Sequence, residues 1–69
     1  MDYDKGKIIS RIIVLREEVV RAYKSFLGMP PEGLSDRQIA TEVGIYSARN
    51  SDGVLGKKCS ELLELVGMS

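Results

Sequence analysis

Histidine is absent from this 69-residue chain, and cysteine occurs once, at Cys59. No disulfide can close within the chain, and no zinc-finger or His-based ligand set can be assembled, so two common staples of short folds are missing. Net charge is lacking as well, because ten Lys and Arg balance ten Asp and Glu. That removes the strongly positive field which marks many nucleic-acid-binding domains, although a neutral protein can still carry a local basic patch. Between Arg37 and Lys58 the basic residues Arg37, Arg49, Lys57 and Lys58 outnumber Glu42 and Asp52. No apolar run approaches the roughly 20 residues a bilayer span needs, and "MDYDKGK" is not laid out as a signal peptide. The expectation is a cytoplasmic protein with no membrane partner.

The same absences bear on catalysis. A thiol nucleophile at Cys59 would want a histidine base, and the serines and scattered carboxylates have neither a base nor enough chain to build a pocket. We therefore expect no enzyme, no small-molecule substrate, no cofactor and no metal. Cys59, four residues after Leu55 and three before Leu62, reads as a small buried hydrophobe.

What the chain does have is an ordinary globular balance, 43% hydrophobic and 29% charged residues. A chain this short makes one domain, 1–69, and buries only roughly 60% of the surface exposed when unfolded, so its core gains from association. From about Tyr3 to Leu27, apolar residues at Ile8, Ile12, Leu15, Val19, Ala22 and Phe26 trace one stripe of a helix. A second stripe runs beside it through Ile9, Ile13, Val20, Tyr23 and Leu27, with Arg16 in the gap. The β-branched run "KIISRIIVL" would suit a strand, but a period near 3.6 held over some twenty residues favours helix. One short partner cannot cover both stripes, so Ile9, Ile13 and Val20 are the expected homodimer surface of a long N-terminal helix within 1–28.

"GMPPEG" stops that helix, because Gly28 suits a left-handed cap and Pro30 and Pro31 cannot continue it. Ser35 or Asp36 then caps a second helix, "SDRQIATEVG", ending at Gly44. The last segment has two parses. In one, Ser47 caps a helix to Val66 with Gly53 and Gly56 inside it; in the other, "SARNSDG" is a loop and Asp52 caps a shorter helix from Gly53. The first is preferred. The glycines invite other motifs, but a phosphate-binding P-loop would need Gly and Ser or Thr where Ser51 and Lys58 stand, and the GxxG clamp of KH domains needs strands. Gly53, Gly56 and Ser60 read instead as a small-residue strip that another helix or a phosphate backbone approaches.

Within 34–67, Ala40 is a small residue where two helices would touch, Gly44 a turn four positions on, and Ile39, Val43 and Ile45 apolar contacts. On these residues "RQIATEVGIYSAR" resembles the helix-turn-helix superfamily of small bacterial, archaeal and phage regulators, with the match confined to residues 35–50. The pattern departs at Asn50, where an apolar residue is expected, so the turn is longer or the third helix rotated. The periodicity gives an all-α three-helix bundle with a long first helix, and the resemblance makes the two helices that follow a helix-turn-helix pair. The resemblance also implies a dimeric transcription regulator bound to double-stranded DNA. Tyr46, Ser47, Arg49 and Asn50, with Lys57 further along, would face the groove, where Arg pairs with guanine and Asn with adenine. Ser35 and Gln38 would hold phosphates at a helix N-terminus. The rival expectation is a helical interaction or assembly module that binds no nucleic acid.

Overall fold

The computed structural model describes residues 5–68, and among them the chain forms three α-helices: α1, Lys5–Phe26; α2, Asp36–Arg49; and α3, Gly53–Met68. The all-α bundle with a long first helix and two shorter ones is as the sequence predicts; the helix start expected near Tyr3 lies outside the described residues.

α1 is helical for the reason its period suggests. Leu15, Val19 and Tyr23 are buried, Ile12 and Ala22 pack partly against them, and the second stripe at Ile9 and Ile13 faces outward. The helix ends on Gly28, whose φ of 98° is the left-handed value a C-terminal cap needs, with the amides of Leu27 and Gly28 both donating to the Tyr23 carbonyl. The core is completed by Ile39, Ala40 and Val43 from α2 and by Cys59 and Leu62 from α3.

Ser35 opens α2 through a reciprocal capping box. Its hydroxyl accepts from the Gln38 amide at 3.2 Å, and its own amide donates to Gln38 Oε1 at 3.0 Å. Both residues earmarked for phosphate are thus engaged with each other in capping the start of a helix. Ser35→Ala should lower stability by about 1 kcal/mol, readable as a reduced urea midpoint with unchanged slope; an unchanged midpoint would mean that the cap contributes nothing.

The boundary expected at Gly44 is not there. α2 continues through it to Arg49, and the chain turns only at Asn50, Ser51 and Asp52. A glycine inside a helix costs about 1 kcal/mol relative to alanine, but here α3 packs closely over it, leaving room for no more than a methyl group: a Cβ built on Gly44 would lie 3.7 Å from Cys59 Cβ, an ordinary contact. Close packing outweighs the weak local signal. The preferred parse of the last segment is corrected as well, since Ser47 lies inside α2 and α3 begins at Gly53. Asp52 caps α3, its carboxylate accepting from the Leu55 amide at 3.2 Å, and Ser51 takes up the reversal at φ 56°. The rejected parse located Asp52 correctly but put Ser47, Ala48 and Arg49 in the loop.

Surface ion pairs report how the helices run. Arg11 grips Glu61 with two guanidinium bonds of 2.8 and 2.9 Å, and Lys58 meets Glu18 at 3.1 Å, so α3 runs antiparallel to α1. Arg16 meets Asp36 at 2.8 Å, and Phe26 stacks on Tyr46 with ring centroids 4.8 Å apart, so α2 runs alongside only the C-terminal half of α1. Such exposed pairs contribute little energy, because solvent screens them; their value here is to mark the register. Opposite Ile9 and Ile13, α2 has not yet begun.

Candidate interaction surfaces

The residues expected to read DNA are not brought together as one edge. Ser47 is 2% exposed, and its hydroxyl donates to the Gly44 carbonyl at 2.8 Å. It stands where α2 and α3 come closest, for a Cβ on Gly56 would lie 3.2 Å from its Oγ. Placing Ser47 in a groove is therefore corrected: its residue size is used for helix packing. Tyr46 is half-buried against Phe26, and the Asn50 side-chain amide donates to the Tyr46 carbonyl at 2.9 Å, ending α2. Arg49 and Lys57 are exposed on either side of the turn and enter no ion pair among the described residues.

The crossing of α2 and α3 matters for any groove-reading role. In a helix-turn-helix the two helices meet at about 90–120°. Gly44 and Cys59 each lie about seven residues from the middle of the turn, roughly 11 Å along their helices. At such angles they would stand roughly 15–19 Å apart, well beyond the 8–10 Å of packed helices. Instead both Gly44 with Cys59 and Ser47 with Gly56 are in contact, one helical turn apart on each helix. The pair is a closely packed antiparallel hairpin, made so by small residues at 44, 47 and 56. Of the small-residue strip foreseen at Gly53, Gly56 and Ser60, only Gly56 is approached by a helix; Gly53 has nothing within 4 Å, and Ser60 is exposed.

The other surface is apolar. Ile9 and Ile13 on α1 are 56% and 52% exposed, Val14 is exposed beside them, and Val20, the third residue expected at a dimer surface, is half-buried against the core. Next to this ridge Gly6, Lys7, Ser10, Arg11 and Val14 form a nearly flat, open stretch of the α1 surface. A second group of exposed apolar residues, Phe26, Leu27, Met29 and Ile45, sits at the opposite end of α1. Sequence reasoning missed Met29 and Ile45 as exposed residues, the latter because it was placed among the apolar contacts between two helices.

Titratable groups add no reactive centre. Burial pushes the Cys59 thiol up, away from the thiolate. Burial, and then the neighbouring Glu42 carboxylate, raises the Tyr23 phenol. Hydrogen bonding from Arg11 holds Glu61 below the usual carboxylate range, and Glu61 raises Arg11 in return. Among the described residues no cluster of His, Cys, Asp or Glu has the makings of a metal site, and no helix is long and apolar enough to cross a membrane. No family model matches the chain, and neither a curated protein nor a solved structure matches it.

Proposed function

We infer that this chain is a helical interaction module that docks through the outward face of the N-terminal half of α1. The observation carrying this reading is the pair Ile9 and Ile13, each more than half exposed on a helix whose C-terminal half alone is covered by α2. Half-exposed isoleucines in adjacent turns forgo about half the burial free energy of a full isoleucine side chain, roughly 0.8–1.5 kcal/mol apiece. A partner surface would recover it. Neutral overall charge fits a protein partner better than a polyanion.

A second reading, sequence-selective DNA binding by a transcription regulator, draws on one observation: Arg49 and Lys57 project freely on either side of the α2–α3 turn. Buried Ser47, the mutual engagement of Ser35 with Gln38, and the hairpin geometry weigh against it. The readings separate in a titration of the labelled protein with mixed-sequence duplex DNA, followed by backbone amide shifts at about 50 mM and 200 mM salt. The docking reading expects an unchanged spectrum at the lower salt. Shifts at residues 35–38 and 46–57 that fade at the higher salt, and vanish in an Arg49→Glu, Lys57→Glu variant, would replace it with the DNA reading.

A further inference from the structure

The reversal between α2 and α3 sets side by side two residues whose side chains can cyclise onto their own backbone: Asn50, followed by Ser51, and Asp52, followed by Gly53. We propose that Asp52 is a site of spontaneous modification, where the turn converts the aspartyl linkage to an isoaspartyl one in preference to deamidating Asn50.

The conversion needs no reagent but water. The Gly53 nitrogen bonds to Cγ of the Asp52 carboxyl in its protonated form, and the carboxyl hydroxyl leaves with the amide proton as water, closing a cyclic imide. Water then adds to either imide carbonyl. Opening at Cγ restores aspartate, whereas opening at the backbone carbonyl leaves the chain running through Cβ, which is isoaspartate.

What separates the two residues is direction. The Asn50 side chain reaches back along α2, its amide donating to the Tyr46 carbonyl at 2.9 Å, which holds the group toward the preceding turn of helix and not toward the next residue. The Ser51 nitrogen it would need is itself engaged, donating to the Ala48 carbonyl at 3.4 Å. The Asp52 carboxylate instead reaches forward past Gly53 to accept from the Leu55 amide at 3.2 Å.

Gly53 is the first residue of α3, so its N–H is one of the donors that a helix start leaves without an intrahelical partner. Among the described residues it makes no other hydrogen bond. A Cβ built on Gly53 would meet nothing within 4 Å, and both Asp52 and Gly53 are exposed, so no neighbour obstructs closure and water reaches the imide. As the ring closes, negative charge gathers on the carboxyl oxygen, where the Leu55 N–H is already aimed.

The product undoes the turn that formed it. The Asp52 amide donates to the Ser47 carbonyl at 2.8 Å and the Asp52 carbonyl accepts from the Gly56 amide at 3.0 Å, so an extra backbone methylene between them pulls those bonds out of register. The cap on α3 is lost in the same step, because Cγ has become part of the chain. Ser47 and Gly56, where α2 and α3 are closest, flank this turn.

The test is to hold the full chain for several weeks at neutral pH and physiological temperature and then digest it with trypsin. Cleavage after Arg49 and Lys57 releases residues 50–57, with both candidates in one peptide. Isomerisation at Asp52 changes that peptide's retention and not its mass, whereas deamidation of Asn50 raises the mass. A synthetic peptide of residues 46–57 gives the order without the fold. Isoaspartate at 52 should be the main product in the chain, its ratio to product at 50 several-fold higher than in the peptide. Asp52→Ser, which keeps a capping hydroxyl, should abolish the same-mass product and retain the urea midpoint that the parent loses with age. Gly53→Ala, which leaves the carboxylate in place, should slow the conversion several-fold. A ratio no higher in the chain than in the peptide, a predominant Asn50 product, or a chain free of isoaspartate after incubation would each overturn the proposal.

Discussion

Replacing Leu15 by alanine is expected to bring the chain close to unfolding. Leu15 has no exposed surface and sits where all three helices meet, with Val19 a turn away and Leu62 among the fully buried side chains of α3. Its truncation loses the transfer free energy of three carbon atoms and leaves a cavity that short helices can only partly close, a combined cost of about 3–4 kcal/mol. A 69-residue domain holds roughly 3–10 kcal/mol in all at 0.05–0.15 kcal/mol per residue. The thermal midpoint should fall by roughly 12–30 °C at 4–8 °C per kcal/mol. Calorimetry or a thermal scan by circular dichroism would read it. A loss under 1 kcal/mol would mean that Leu15 is not where the helices converge.

Position 44 offers the second large effect, and here the sign is the test. If Gly44 were the turn of a helix-turn-helix, a side chain there would strain the backbone. In the observed fold it is mid-helix, with ordinary van der Waals space for one methyl group beside Cys59. Gly44→Ala should therefore stabilise the protein by about 0.5–1 kcal/mol through helix propensity. Gly44→Leu should do the opposite, because the extra atoms must wedge α2 and α3 apart, an overpacking cost of about 1–3 kcal/mol. Urea unfolding of the two variants gives both signs in one experiment. Destabilisation by alanine would restore the turn at Gly44 and, with it, the geometry that DNA reading needs.

The two effects bear on function in different ways. Leu15 tests the core on which every surface rests. Position 44 tests whether α2 and α3 lie side by side, which decides what Arg49, Asn50 and Lys57 can reach. A hairpin held together by Gly44, Ser47 and Gly56 presents its exposed cations around a turn and not along the start of a groove-seated helix. The face left for recognition is then α1.

Much of this was legible in the residues. The double stripe of α1 announced a helix with a broad apolar face, because a period of 3.6 places residues by angle irrespective of their neighbours; which residues are covered it did not give, for Tyr23 of the second stripe is buried and Phe26 of the first is exposed. Ser35 or Asp36 announced the start of α2 as a helix cap; the capping box that Gln38 completes went unread, because the resemblance assigns Gln38 to a phosphate. Gly28 and Pro30 announced the end of α1 likewise, since caps are local chemistry within a few residues. What local chemistry left open was Gly44. A glycine is equally suited to ending a helix and to letting another helix come near, and nothing within a few residues separates those uses. Cys59, fifteen residues on, decided it by packing against the bare backbone. The same contact moved the turn to Asn50 and Asp52 and turned Ser47 from a prospective base reader into a buried packing residue. Composition and periodicity thus determined the helices and their apolar faces, both set within a few turns of chain. Tertiary packing decided where α2 stops and which apolar face stays uncovered, because those depend on which residues distant in sequence come to lie side by side.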